Sequence, residues 1–232
     1  MFLMDVDRTL LDDARITKDL RRHLRNEVGR TGEQRYWQRL QRLHRTLGYA
    51  DYLGALQQYR QSYPHDPHVL TLSSFLINYP FAKRLLPQAL PVIKHCQRMG
   101  KVVIVSDGDV VFQPHKLERS GLANAVGNRV LIYVHKEQEL RHIRRCYPAD
   151  HYVVIDDNVR ILDAIKKAWG RHVTTVFPGR LEGGAAKEPV RARLPPDISL
   201  RRLRDLLTMN AEFLRSRSVA SQDLRGAKLT RG

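Results

Sequence analysis

Four short apolar runs, each emptying into a polar turn, constrain this chain more than any other feature. Phe2-Leu3-Met4 leads into Asp5-Val6-Asp7-Arg8-Thr9-Leu10, and Lys101-Val102-Val103-Ile104-Val105 ends in Ser106-Asp107-Gly108-Asp109. Arg129-Val130-Leu131-Ile132-Tyr133-Val134 runs into His135-Lys136-Glu137, and His151-Tyr152-Val153-Val154-Ile155 closes on Asp156-Asp157-Asn158. Runs of this length and β-branched content suit buried strands, and stretches of helical period separate them, as with Ile161, Leu162, Ile165 and Trp169 after the fourth run. Strands alternating with helices predict an α/β fold, with a mostly parallel sheet covered on both faces by helices. Function in such a sheet belongs at its carboxyl edge, where the polar turns would gather.

The residues in those turns suit phosphoryl chemistry. Asp5 and Asp7 are two apart, so in an extended strand they start on one face, and a following turn can splay them around one reacting centre. One carboxylate can attack while the other shuttles a proton. Two anions facing a phosphate dianion require compensation, however. Lys136 can neutralise charge, the Ser106 hydroxyl and its glycine-containing turn can donate to phosphate oxygens, and Asp156 with Asp157 offers hard oxygen donors suited to Mg²⁺. Taken singly, each feature has a structural reading as turn chemistry or a helix N-terminal anion. Lys116 competes with Lys136 for the cationic role, but it lies in an amphipathic segment and reads as a solvated helix residue. Asp163 reads as exposed on the helix that follows the fourth run.

The ordered blocks DVDRTL, VSDGD, HK and VIDDN resemble the four motifs of the haloacid dehalogenase superfamily, most of whose members are phosphatases. The resemblance spans roughly residues 2 to 177 and implies a Rossmann-like core with Asp5 as nucleophile and Asp7 as general acid and base. It also implies that Thr9 braces the loop and that Ser106 holds a phosphoryl oxygen with the Asp107 and Gly108 backbone. Lys136 would stabilise charge. Mg²⁺ would be held by Asp5, the Asp7 backbone carbonyl and Asp157, with Asp156 as a closer or water-mediated partner. The family usually has glycine or a small polar residue where this chain has Arg8. Its second motif commonly lacks the extra acids Asp107 and Asp109, whose side chains are expected to point away from the substrate. True haloacid dehalogenases of the superfamily lack an acid two residues after the nucleophile, so Asp7 favours phosphate over halide.

Between the first and second runs, residues 13–85 are too long for a simple crossover and are helical in pattern, with breaks at Gly29–Gly32 and at Tyr63-Pro64-His65-Asp66-Pro67. This segment is similar to the helical cap that many superfamily members insert at this place, dividing the chain into a core of residues 1–12 and 86–215 and a cap of residues 13–85. A lid restricts large substrates and argues for a small phosphorylated metabolite. Trp37, Tyr36 and Tyr79-Pro80-Phe81 read as cap core rather than pocket lining, and Arg15 and Arg35 as solvated helix charges. Pro178 to Pro196 reads as a surface strap, Asp197–Leu200 as a last short strand, Leu203 to Phe213 as a closing helix, and 216–232 as a disordered basic tail.

A formal charge of +16 invites a nucleic-acid reading. The basic runs at Arg21-Arg22 with Arg25, Arg141 with Arg144-Arg145, and Arg201-Arg202 with Arg204 instead fall at helical spacing among apolar residues, as solvated faces do. No specific nucleic-acid partner is expected, and no membrane partner, since apolar stretches are short and no secretory leader is legible. Cys96 and Cys146 read as buried structural thiols in a cytoplasmic chain. The expected function is an Mg²⁺-dependent phosphomonoester hydrolase. The alternatives are a phosphotransferase or mutase with the same intermediate, and a non-catalytic scaffold that binds acidic partners.

Overall fold

The computed structural model describes residues 1–179 and 194–218. Six strands form one sheet: β1 (Phe2–Met4), β2 (Val102–Asp107), β3 (Val130–Tyr133), β4 (Tyr152–Ile155), β5 (Val173–Phe177) and β6 (Ile198–Ser199). Their order is β3-β2-β1-β4-β5-β6, and every pairing is parallel. The predicted α/β class with a parallel sheet flanked by helices is therefore the observed one. Alternation along the strands divides the core. Phe2 and Met4 pack with Val102, Ile104, Val153 and Ile155 on one face, and Leu3 packs with Val103, Val105, Tyr152 and Val154 on the other. The first layer is closed by α4 (Ala89–Met99) and the second by α8 (Val159–Trp169).

β5 was not among the predicted runs, because Thr174 and Thr175 interrupt its apolar pattern. Both are buried, and both hydroxyls are satisfied: Thr174 donates to the Leu214 carbonyl at 2.7 Å and Thr175 to Asp197 at 2.9 Å. β6 is the short strand expected within Asp197–Leu200. The closing helix is broken into a 3₁₀ turn (Leu203–Thr208) and α9 (residues 211–218). α9 includes the first residues assigned to the tail. Ser218 is buried and donates to the Arg171 carbonyl at 2.8 Å, so the tail cannot begin at Ser216. Most of the expected strap (residues 180–193) and the rest of the tail (219–232) lie outside the described residues.

Residues 13–77 form α1 (Asp13–Leu47), α2 (Tyr52–Ser62) and α3 (Val69–Ile77) around a separate apolar cluster. Asp12 and Asp51 cap α1 and α2, their carboxylates accepting from Arg15 N at 2.9 Å and Gly54 N at 2.7 Å, caps worth about 1 kcal/mol each. The expected break at Gly29–Gly32 narrows to a kink at Gly29, whose φ of 69° suits glycine, while Gly32 stays helical and buried. Tyr36, Tyr79 and Phe81 are buried in this cluster, and Arg35 lies over the Tyr63 ring. Two chain crossings join these helices to the sheet. They are tied to each other by Asp12 N to Arg84 O and Leu86 N to Leu10 O, both 2.8 Å. Among the described residues, no helix is long and apolar enough to cross a membrane.

The remaining helices are α5 (Phe112–Ser120), α6 (Leu122–Ala125) and α7 (Leu140–Cys146). Two expectations on the helices fail. Asp163 is buried at 8% and pairs with Lys167 at 2.7 Å, because α8 turns this edge toward the sheet. Cys146 is exposed at the end of α7, whereas Cys96 is buried as expected. The basic runs behave as solvated faces where the helices bring acids alongside: Arg21 and Arg25 pair with Glu33, and Arg22 with Asp19.

Candidate active site

The sheet order reverses at β1, whose neighbours β2 and β4 lead away in opposite directions, so a crevice opens beyond its carboxyl end. Asp5 leaves β1 at that point, its N–H bonded to the Ile155 carbonyl at 2.9 Å. The chain then turns tightly, with the Val6 carbonyl accepting from the N–H groups of Thr9, Leu10 and Leu11. Arg8 sits in this turn at φ 64°, in the left-handed region, and its side chain is exposed. Glycine adopts that backbone without steric cost, whereas it costs an arginine about 1 kcal/mol. Thr9 is fully buried and its hydroxyl has no hydrogen-bond partner among the described residues, so it braces the turn by packing and through its backbone.

Lys136 is the hub of the site. Its ammonium lies 2.6 Å from Asp5 Oδ1, 2.7 Å from Asp156 Oδ2 and 3.3 Å from the Val105 carbonyl, and the residue is only 4% exposed. Its backbone N–H donates to Asp107 Oδ1 at 2.8 Å, so Asp107 turns toward the Lys136 turn and buttresses it. Asp109 points away as expected: its Oδ1 accepts from Val111 N at 2.9 Å and Phe112 N at 2.6 Å at the start of α5.

The acids beside this lysine feel burial and one another. Burial pushes the Asp5 carboxyl up to about 6, with Asp156 and Asp7 adding to the rise and Lys136 opposing it. Burial raises Asp157 further, to about 8, helped by the charges of Asp5 and Asp156. Lys136 is held protonated by Asp156, Asp5 and Asp107 against its own desolvation.

Asp5, Asp156 and Asp157 each present one oxygen within 4.8 Å of the others, a hard-donor cluster whose surplus negative charge fits a divalent cation. Within it, both oxygens of Asp156 are engaged, Oδ2 by Lys136 and Oδ1 by the Asn158 N–H at 2.8 Å. Among the described residues, nothing bonds Asp5 Oδ2 or the Asp157 carboxylate, which leaves both for other ligands.

Ser106 is the penultimate residue of β2, beside them. Gln113 Nε2 donates to its Oγ at 2.7 Å, and the hydroxyl itself donates only at 3.4 Å to the Asp107 carbonyl, a long bond that an anionic acceptor can replace. Gly108 takes a different part from the one expected. Its N–H is committed to the Tyr133 carbonyl at 2.9 Å, so it is not a phosphate donor. Its lack of a side chain matters instead, since a Cβ there would fall 2.6 Å from Gln113 Cβ.

Lys116 is the main correction. It is 3% exposed, and its ammonium contacts both oxygens of Asp7, at 2.6 and 2.7 Å. Gln113, 3% exposed on the same helix, reaches Asp7 Oδ2 at 3.4 Å as well as Ser106. The sequence reading also passed over Asp13, which accepts from the Tyr52 hydroxyl at 3.3 Å and whose carboxyl is raised by burial and by the charge of Asp7. One signal was present. Gln113, Lys116, Leu117 and Ser120 share one helical face, and all four are buried, so three polar residues stood on an inward stripe.

A carboxylate at the end of β1 paired with a buried lysine, a second acid two residues on, and acids ending β4 gather at the carboxyl edge of the parallel sheet and define it as the candidate active site of an α/β enzyme. The chain is 50% identical to a protein of Burkholderia xenovorans LB400 assigned as a haloacid dehalogenase-like hydrolase, over 90% of this chain and 98% of that one, with a TM-score of 0.85. It belongs to the haloacid dehalogenase-like hydrolases, as the four motifs implied. The same fold recurs at 16% identity in the Bacillus subtilis hydrolase YfnB bound to magnesium, with a TM-score of 0.60 over 90% of this chain and 98% of that one. It recurs also at 16% identity in an L-2-haloacid dehalogenase of Xanthobacter autotrophicus with chloropropionic acid covalently bound, with a TM-score of 0.57 over 89% of this chain and 96% of that one. No protein-family model and no curated protein matches the chain.

Proposed function

We propose that this hydrolase cleaves a small phosphomonoester through an aspartyl-phosphate on Asp5, with Mg²⁺ as cofactor. The observation that carries the reading is Asp7, an acid two residues beyond the nucleophile, with a side chain 34% exposed and held by its own buried lysine. Displacing halide from carbon needs no proton donor on the leaving-group side, whereas expelling an alkoxide does. Asp5 Oδ2 attacks phosphorus as the bond to the ester oxygen breaks, and protonated Asp7 gives its proton to that oxygen. Asp7 then takes a proton from water, which attacks phosphorus and frees Asp5. The Ser106 hydroxyl donates to a phosphoryl oxygen, and Lys136 keeps Asp5 oriented and offsets charge.

The carboxylates of Asp5 and Asp157 and the Asp7 carbonyl would hold the ion, with Asp156 adjoining. Bound there, Mg²⁺ would offset negative charge on the phosphoryl oxygens. A magnesium-bound relative supports that choice. The turn between α1 and α2 lies against the loop that carries Lys136, where a Cβ at Gly48 would fall 3.0 Å from His135 Cε1. Such closeness of the helical insertion to the site favours a small substrate and a lid role for residues 13–85.

The test is phosphate release from a panel of phosphorylated metabolites, with Mg²⁺ and with chelator, alongside chloride release from 2-chloropropionate. Metal-dependent phosphate release that is lost in Asp7→Asn is the expected result. Chloride release without phosphate release would overturn the reading, and phosphate delivered to an added alcohol or sugar phosphate would mark a transferase.

A further inference from the structure

We infer that Lys116 is the positioning residue of the leaving-group side, fixing the Asp7 carboxylate for proton transfer, and that Gln113 joins that carboxylate to the Ser106 hydroxyl. This rests on the phosphomonoesterase reading. A buried ammonium is strongly unfavourable unless it is paired. Among the described residues the pairing of Lys116 is spent on Asp7, with contacts of 2.6 and 2.7 Å to the two oxygens. Contact with both oxygens holds the carboxylate at two points, which a single hydrogen bond would not do. Gln113 Nε2 lies 2.7 Å from Ser106 Oγ and 3.4 Å from Asp7 Oδ2, so one amide senses both groups.

The two buried lysines thus divide the site. Lys136 holds the attacking carboxylate from the β3 side, and Lys116 holds the proton-transferring one from α5. Lys116 also reaches electrostatically to Asp13, the first residue of α1, where its charge and that of Arg8 oppose the raising effect of burial and Asp7. The carboxylate that handles the leaving group is therefore balanced at the point where the helical insertion meets the sheet. A lysine serving only the fold would not need to end on the one acid that the leaving group meets. A lysine serving the phosphoryl group would meet Asp5 instead.

The experiment compares kcat/KM of wild type and Lys116→Met for two esters, an alkyl phosphate and p-nitrophenyl phosphate. This parameter ends at release of the alcohol, so it reports the step in which the leaving oxygen needs a proton. Lys116→Met should lower the alkyl ester about 30- to 100-fold and the nitrophenyl ester less than about fivefold, because nitrophenolate leaves without help. Equal losses for both esters would overturn the assignment.

The double variant Asp7→Asn with Lys116→Met removes both charges and guards against a folding failure of the single variant. Compared with Asp7→Asn alone, its rate of nitrophenolate release in a single turnover, a step that needs no proton from residue 7, should be unchanged within about twofold if Lys116 acts through Asp7. A further tenfold fall would refute that. Should wild type hydrolyse neither ester, the phosphomonoesterase reading fails, and a crystal structure of Lys116→Met still decides the positioning: an Asp7 carboxylate in its original orientation would overturn it.

Discussion

Replacing Asp5 with asparagine should abolish turnover and at the same time stabilise the metal-free protein. Asp5 is buried, and its carboxyl is pushed from 3.8 up to about 6, by burial first and then by the charges of Asp156 and Asp7 against the pull of Lys136. A rise of roughly two units corresponds to about 3 kcal/mol by which the ionised group disfavours the fold at neutral pH. Asparagine keeps the acceptor for Lys136 yet leaves an amide in a buried place, so the net gain is placed at about 1–3 kcal/mol. In a domain of this size that is a Tm increase of about 3–10 °C.

The sign follows from proton uptake. The folded state holds its proton more tightly than the unfolded chain, so the handicap is absent below about pH 4 and complete above about pH 6. Thermal unfolding of both proteins in chelator, from pH 4 to pH 7, should show the gap opening across that window. Adding Mg²⁺ should then raise wild type alone and narrow it. An Asp5→Asn protein less stable than wild type at pH 7 in chelator, or a gap as wide at pH 4, would refute the account of Asp5 as an anion held at a cost for function.

Two structural predictions stand apart from the site. Asp197 Oδ2 takes Lys166 Nζ and Thr175 N at 2.8 Å and the Thr175 hydroxyl at 2.9 Å, pinning β6 to β5. Asp197→Ala strands a buried ammonium and should cost about 3–5 kcal/mol, read as a lower urea midpoint, while adding Lys166→Met should recover much of the loss; no recovery would count against the ion-pair account. His151 is pushed down to about 4 by burial and by the charges of Arg215 and the N-terminal amine. Its folded pKa lies below the unfolded value, so the stability it lends is present above about pH 6.5 and is lost as pH falls toward 4. After discounting for solvent screening this is about 1 kcal/mol, and His151→Gln should remove that part of the acid slope in thermal unfolding. An identical slope in the variant would exclude the histidine as its source.

Most of the site was legible in the chain because each part is local. A β-branched run followed by its polar turn carries its own strand end, and a parallel sheet brings all such ends to one edge. Asp5, Ser106, Lys136, Asp156 and Asp157 were therefore named before their neighbours were known. The Arg8 departure was visible too, but its explanation is a backbone angle of 64° that no local pattern reveals. Gly108 was found for the wrong reason: a glycine after a strand reads as an N–H donor to phosphate, and only the register of β3 shows that N–H committed to Tyr133.

Lys116 and Asp163 were misread for a common cause. Helical period tells which residues share a face, not what a second layer will lay against it. α5 is covered by α6 and by the 3₁₀ turn at Phe81–Arg84, with Leu117 in the apolar layer of the sheet, and that cover turns a polar stripe inward. By itself, the sequence determined the parallel sheet, the edge where chemistry gathers and the acids that gather there, because strand period and turn chemistry act over a few residues. Only the tertiary structure decided which lysine serves which acid, because a buried ion pair between Asp7 and Lys116 joins positions far apart in the chain, and its energy depends on burial that the packing of the helical insertion and sheet supplies.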